Sequence, residues 1–312
     1  MWVYLRRLFL LGVAGAILVI FLGFLGRYHP ALDTFAHLRL HVSAGLFVCS
    51  FVLFAYRRKI PALLTLLTSL TGFLYSFNGT PYAAKIQTAD HGKPVYQLFH
   101  LNLLWLNPKK QLVIDRIREI NPELISISEA SNQWEPFLSQ LESDWPHKAH
   151  CPEWHIRGGV TIYSKWKLDH SSDYCGVYGS FQKTFAVLED GSKITIGSAH
   201  PRWPWPASGP EQIDTLLPEL EKIGPDALIA GDFNATTWSW SLYRFATAGQ
   251  LKIHAGIGGT WMFGALPEPV VQVIGFPIDN VMSKGKVNIL SVETLEEMGS
   301  DHLPLLVKFQ ID

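Results

Sequence analysis

The sequence predicts an α/β domain preceded by transmembrane α-helices. Three observations carry that expectation. The chain has 312 residues, of which 48% are hydrophobic and only 17% charged, an odd balance for a soluble enzyme. Its net charge of −1 conceals two unlike parts. Residues 1–78 hold seven bases and one acid, Asp33, leaving 19 bases and 26 acids after residue 78, so the first part is +6 and the second −7. Beyond Val95, short apolar runs alternate with helical patterns, as in a layered α/β domain. Ordinary Gly, Pro and aromatic content excludes collagen-like, coiled-coil and disordered classes, and three Cys exclude a disulfide-built mini-scaffold.

Residues 1–78 read as a membrane anchor of three helices. Leu8–Gly26, Leu40–Tyr56 and Ile60–Phe77 carry no charge over 19, 17 and 18 residues. At about 1.5 Å per residue, each approaches the ~30 Å of a hydrocarbon core. A signal peptide is the rival reading of the first run, but its apolar part spans ~7–15 residues and ends at small residues. Here Arg27-Tyr28-His29-Pro30 follows instead. Arg57-Arg58-Lys59 separate the second and third runs and speak against a buried hairpin, since unpaired cations need water. The positive-inside rule puts that cluster, Arg6 and Arg7 in the cytoplasm, with Arg27 and Arg39 on the other side. An odd number of spans then places everything after residue 78 outside.

Residues 79–95, bounded by Asn78-Gly79-Thr80-Pro81 and His91-Gly92-Lys93-Pro94, read as a linker, and 96–312 as the catalytic domain. Val113, Ile117 and Ile120 share one helix face, and Leu124–Ser128 is a strand beyond the Asn121-Pro122 break. Lys193–Ser198 and Ala227–Ala230 are buried-strand candidates with a helix over Glu211–Ile223 between them. Val281–Ser283, Val287–Val292 and Leu305–Gln310 complete the pattern.

Polar residues gather at the ends of these strands. Asn102 interrupts the run Leu98–Leu106, Glu129 follows Leu124–Ser128, and His200 follows Thr195–Ala199. Asp232 and Asn234 follow Leu228–Gly231, Asp279 precedes Asn280-Val281-Met282, and Asp301-His302 precede Leu303–Phe309. Each alone has a bland explanation, because Asx and Gly commonly make turns at strand ends. Six such ends, each with a carboxylate, amide or imidazole, point to a site.

Gly231-Asp232-Phe233-Asn234-Ala235-Thr236, Pro277-Ile278-Asp279-Asn280-Val281 and Ser300-Asp301-His302-Leu303-Pro304-Leu305 resemble, in order, the motifs of the endonuclease/exonuclease/phosphatase superfamily. The resemblance covers roughly residues 95–312 and implies the DNase-I-like four-layer α/β sandwich. The anchor resembles that of a bacterial subgroup, which implies an inner-membrane protein with a periplasmic catalytic domain. The implied activity is phosphodiester hydrolysis with a divalent metal, Mg²⁺ or Mn²⁺ in its place. An anionic diester repels hydroxide, so a site must neutralise charge and orient water for in-line attack. Hard oxygen ligands suit Mg²⁺, which keeps several waters and needs only one or two carboxylates.

Carried over position by position, Glu129 matches the principal metal ligand and Asn102 the amide beside it. Asp232 matches the carboxylate that orients the attacking water, with Asn234 expected on the same side of the strand to hold it or the phosphate. His302 matches the imidazole on the scissile phosphate and Asp279 its partner. Asp301 matches a neighbouring acid assigned to a second metal or to the leaving group, and His200 a phosphate-contacting residue. Three departures stand out: Ser128 precedes Glu129 where Gln is frequent, Asn280 follows Asp279 where Tyr or His is frequent, and Pro201–Pro206 is rich in Pro and Trp.

That last segment bears on substrate, with Arg202 and Trp203 as candidate contacts. Trp105, Trp203, Trp205, Trp238, Trp240 and Trp261 can stack on bases, dip into a bilayer interface or pack under loops. The −7 domain, with Arg116, Arg118, Arg157, Arg202 and Arg244 as its only arginines, tilts against tight polynucleotide binding. Nucleic acid, lipid headgroup and small phosphoester all stay open as substrates, and no protein partner is legible. The alternative, an inactive membrane-tethered binding protein, predicts loss of a catalytic group, and none of the eight positions has lost one. Cys151 and Cys175 can pair if the domain is outside, or remain two buried thiols.

Overall fold

A computed structural model of the protein describes residues 1–78, 86–153, 156–254, 257–261 and 266–312. Residues 1–78, the expected anchor, form four helices, α1 (Trp2–Gly23), α2 (Pro30–His37), α3 (Arg39–Ala55) and α4 (Lys59–Asn78). Among the described residues two helices, α1 and α4, are long and apolar enough to cross a membrane. The expected middle span, Leu40–Tyr56, falls on α3, which is shorter. The 17 residues of α3 cover only about 25 Å at the helical rise, and α2 meets α3 at a bend of 57°. The pair is a third crossing only if taken as one bent span. The helices pack through Val13, Ile20, Leu46, Leu53 and Ala62. Gly72 lets α4 approach α3 closely, since a Cβ there would displace the Ser43 hydroxyl, 2.0 Å away.

The remainder of the chain builds β1 (Tyr96–Asn102), α5 (Lys110–Ile120), β2 (Leu124–Ala130), α6 (Glu135–Leu138), β3 (His147–Cys151) and β4 (Gly159–Ser164). Next come β5 (Lys167–Cys175), β6 (Phe181–Val187), β7 (Lys193–Ala199), α7 (Gly209–Leu220), β8 (Ala227–Asp232) and α8 (Trp240–Gly249). β9 (Lys252–Ile253), α9 (Glu268–Ile274), β10 (Asp279–Lys284), β11 (Val287–Thr294) and β12 (Leu305–Ile311) complete it. Two six-stranded mixed sheets result, ordered β11-β12-β1-β2-β4-β3 and β5-β6-β7-β8-β10-β9.

Alternation explains the layering. In β1, Leu98, with Val307 of the same sheet, faces Leu228 and Val281 of the other. Its neighbours Phe99 and Leu101 face outward onto Val113 and Ile117 of α5. The second sheet turns Ile229 and Met282 outward onto Leu216 and Leu220 of α7 and Phe245 of α8. Helix, sheet, sheet and helix give the four-layer α/β sandwich. The predicted break at Asn121 is a left-handed cap, φ 54°, ahead of Pro122. The expected helix Glu211–Ile223 starts two residues earlier and ends at Leu220, with Pro210 in its first turn.

Of the expected linker, residues 79–85 lie outside the described residues. The described part is tied to the first sheet: Gln87 N donates to Ile289 O at 2.9 Å, and Gln310 Nε2 donates to Asp90 O and Lys93 O. Cys151 and Cys175 form a disulfide. They end β3 and β5, the edge strands of the two sheets, so the bond closes that side of the sandwich.

Anchor and sandwich meet through α2. Asp33, the anchor's single acid, is buried and accepts from Trp240 N (2.6 Å), Ser241 N (2.9 Å) and Ser241 Oγ (2.7 Å). With Ser239 Oγ accepting from Leu242 N, the free N–H groups at the start of α8 are satisfied. Arg39, expected at a wet surface, is also buried. It donates to Gly23 O at 2.8 Å and Trp238 O at 3.4 Å, and stacks on Phe24 and Tyr75. Gly23 itself must be small, since a Cβ would meet the backbone of Ala36 at 3.0 Å.

Asp33→Ala leaves these donors unanswered and should cost about 2 kcal/mol, read by denaturant unfolding of the full chain in detergent. Replacing Cys151 and Cys175 by Ser should cost about 3 kcal/mol for a loop of this length. The parent's advantage should vanish in reductant.

Candidate active site

The site lies where β1, β2, β7 and β8 end and where β10 and β12 begin. Parallel pairing sets Asn102 beside Ser128, and antiparallel pairing sets Asp279 opposite Asp232. His302 stands three residues before β12, its backbone N–H on Ser300 Oγ, whose hydroxyl donates to Asn102 O at 2.6 Å. A short loop is thereby stitched to the end of β1.

His302 Nδ1 donates to Asp279 Oδ2 at 2.8 Å, and its Nε2 lies 3.6 Å from Asp232 Oδ2. Burial alone would push the imidazole down, but Asp279 and Asp232 reverse that and raise it to about 10. His302 is therefore an imidazolium at neutral pH. Asp279, with no exposed surface, would be raised by burial, yet His302 and His100 hold it well below the usual carboxylate range. His100 Nε2 donates to the second oxygen, Asp279 Oδ1, at 3.1 Å. Both oxygens of Asp279 are thus committed to imidazoles.

Asp232 is held differently. Its Oδ1 accepts from Asn234 N at 2.8 Å and its Oδ2 from Asn102 Nδ2 at 2.9 Å. Burial raises it, against the pull of His302 and His200. His200 Nε2 sits 3.5 Å from Asp232 Oδ2, and burial lowers this imidazole, leaving it neutral. Asn234 does not continue the strand as expected. It lies beyond β8 with φ 49°, so the chain turns and its side chain donates to Pro201 O while its backbone N–H reaches Asp232.

Glu129 sits at a bulge of β2 with φ 59°. Its Oε2 accepts from Trp105 N at 3.0 Å, and burial raises its carboxyl despite that bond and the positive charge of His302. Among the described residues, no Lys, Arg or His nitrogen lies within 4.0 Å of it. A buried carboxylate without a cation partner, beside the amide of Asn102, fits a divalent cation. Asp301 is exposed, accepts from Trp261 Nε1 at 2.9 Å, and is near enough for its charge to act on Glu129 and His302. Asp232, Asp279 and His302 also lie within metal-ligand spacing of one another. Of these, Asp279 is fully used by the two imidazoles, so this trio is first a hydrogen-bonded relay.

Arg202 is engaged already, Nη2 on Glu153 Oε1 at 3.0 Å and its guanidinium over Tyr178. Trp203 and Trp261 meet edge to face at 4.9 Å, and Trp261 lies 6.3 Å from the ring of His302. Trp238 packs instead, its Nε1 on Ala36 O, and Trp240 stacks on Tyr243. Sequence reasoning missed His100. Its signal was the two-residue period of β1, which sets it on the face of Leu98 and Asn102.

Residues 99–302 match the Endonuclease/Exonuclease/phosphatase family. The chain belongs to that family. Similar folds include the beta toxin of Staphylococcus aureus with bound magnesium ions, at 12% identity and a TM-score of 0.53 over 70% of this chain and 100% of that one. The human Nocturnin catalytic domain, with bound sulfate, is 17% identical with a TM-score of 0.53 over 70% and 94%. A Bacteroides thetaiotaomicron member of the family is 13% identical with a TM-score of 0.55 over 70% and 99%. A Drosophila melanogaster protein described as a probable RNA-directed DNA polymerase from transposon X-element is 27% identical over 161 residues, 48% of this chain. The match spans only 17% of that relative's length. The fold is thus the DNase-I-like sandwich.

Titration follows from the relay. A group raised in the folded state contributes stability fully below its unfolded value, ~6.5 for His, and loses it as pH rises through the folded value, about 10 for His302. Without added metal, stability should fall between pH 7 and 10. Asp279→Asn should flatten that slope, as denaturant melts at the two pH values will show.

Proposed function

We propose that this protein is a membrane-anchored, divalent-metal-dependent phosphodiesterase acting by in-line attack of water. The observation that carries the reading is the His302 imidazolium, pinned by Asp279 on one side and facing Asp232 on the other, with the Glu129 carboxylate, which has no cation within 4.0 Å among the described residues, nearby. Glu129 would hold the metal, with Asn102 and Asp301 flanking it, and Mg²⁺ (or Mn²⁺) suits this oxygen set. When bound, the ion would neutralise charge on the phosphoryl oxygens.

The protein groups then divide the work. Asp232, raised by burial, is a better base than an exposed carboxylate and is aimed by Asn102 and Asn234 N. It would orient the attacking water and take its proton. His302, kept cationic, would donate to a non-bridging oxygen as negative charge grows. Neutral His200 and Asn234 would contact the phosphate from the other side. Asp279 touches no substrate and acts through His302 and His100.

Anchoring is supported by the two long apolar helices. α2 and the end of α1 rest against the catalytic domain, whereas Arg57-Arg58-Lys59 lie at the far end of α3. With α2 and α3 taken as one bent span the chain would cross three times and the catalytic domain would lie outside the cytoplasm, a compartment in which a disulfide persists. An inactive binding protein is the weaker alternative, since every one of the eight expected groups is present and buried or aimed at its neighbours, apart from exposed Asp301.

The test is hydrolysis of bis-p-nitrophenyl phosphate by the full chain in detergent. Mg²⁺ should support turnover and a chelator abolish it. Glu129→Ala and His302→Ala should each lower kcat by roughly 10²–10³-fold. Equal rates in parent and both variants would contradict the assignment.

A further inference from the structure

Two cavities adjoin at the site. One, of about 210 Å³, carries charged groups on its wall, Glu153, Arg157 and Arg202, together with Tyr178 and His200. The other, of about 390 Å³, is apolar, lined by Leu38, Trp205, Pro206, Trp261, Phe276 and Ile278. They share Trp203, Ala207 and Asn234, so they lie side by side. The smaller cavity reaches the reacting centre through His200, which lies 3.5 Å from Asp232.

The apolar cavity is built from two sources. One wall is the Trp-Pro segment that follows β7. The other belongs to the anchor, through Thr34, His37 and Leu38. Thr34 Oγ1 donates to Trp205 O at 2.9 Å, which fixes the two walls to each other. Leu38 stands directly before α3, so this wall runs on into the apolar helices. On the same flank, His41 Nε2 donates to Ile274 O at 2.6 Å and places α9 beside the start of α3. Helix α9 leaves Val270, Val273 and Ile274 exposed there, Val273 by 76%. An apolar surface therefore continues from the anchor to the edge of the groove, and the groove ends at the phosphate site.

We infer that the substrate is a membrane amphiphile, with its phosphodiester headgroup in the smaller cavity and its hydrocarbon chain in the groove between α2 and the Trp-Pro segment. The inference rests on the phosphodiesterase reading and names its substrate class. The headgroup end offers Arg157, the neutral imidazole of His200, and Arg202, whose ion pair with Glu153 a phosphate would share, and the chain end offers aromatic and aliphatic surface. A polynucleotide would leave the groove unused and face a domain of −7. Each methylene taken from water strengthens binding about fourfold, so a chain adds selectivity that a soluble diester lacks. In the reaction the oxygen of water bonds to phosphorus, the ester P–O bond breaks and the leaving oxygen takes a proton. The products are one alcohol and one phosphomonoester.

Two chromogenic diesters with the same reacting centre test this: hexadecyl p-nitrophenyl phosphate and methyl p-nitrophenyl phosphate, given with Mg²⁺ to the full chain in mixed micelles. The hexadecyl ester should show a KM at least 30-fold lower than the methyl ester. In Leu38→Gln and Trp205→Gln that ratio should fall below 5. It is taken within each variant, so a partly folded preparation does not alter it. Equal KM values in the parent would overturn the inference. So would a ratio that survives in both variants, which would mean partition into micelles alone. Cleavage of single-stranded DNA at a higher kcat/KM than the hexadecyl ester would also overturn it, in favour of a nuclease. If neither ester is hydrolysed, the phosphodiesterase reading falls with it; hydrolysis of both without chain preference removes only the groove.

Discussion

Burial of Asp279 between two imidazoles is the constraint on which the site depends. Its two oxygens take His302 and His100 at 2.8 and 3.1 Å, and it has no exposed surface. A carboxylate in that position is tolerated only with cationic or donor partners. The pairing fixes the His302 ring, sets which nitrogen faces Asp232, and keeps the imidazole charged. His100 is on β1, Asp279 on β10 and His302 just ahead of β12, so one ionic cluster spans both sheets. Packing of the sandwich and the charging of His302 rest on the same set of contacts.

A second dependence runs from the anchor. Asp33 answers the N-terminus of α8, and His37 Nδ1 accepts from Thr236 N at 3.2 Å. Thr236 is two residues past Asn234, whose backbone N–H aims Asp232. The segment linking α1 to α3 thus abuts the loop that holds the proposed base. This ties the N-terminal helices to the candidate site by direct hydrogen bonds, and it explains why Asp33, the lone acid of residues 1–78, is buried rather than solvated.

Much of this was legible in the sequence, for identifiable reasons. Strands such as Ala227–Asp232 are buried on both faces and read as continuous apolar runs, and their polar ends then stand out. Asn102, Glu129, Asp232, Asp279 and His302 were found in that way and do converge. The strands β3 to β6 escaped because polar and apolar residues mix along them; β5 alternates little and is largely exposed. His100 looked like a core histidine inside an apolar run, since its carboxylate partner is 179 residues away. The turn at Asn234 was hidden because a left-handed Asn cannot be told from an extended one by spacing. The bend between α2 and α3 was hidden too, because hydropathy does not register that Asp33 and His37 draw α2 onto the sandwich.

The account stands or falls on whether water attacks phosphorus at this site. Hydrolysis of methyl p-nitrophenyl phosphate in ¹⁸O-labelled water, followed by mass spectrometry of both products, tests that most directly. The account predicts one ¹⁸O atom in methyl phosphate and none in p-nitrophenol, with label incorporation lost in His302→Ala. Label in p-nitrophenol, or labelled product formed as fast without His302, would contradict it.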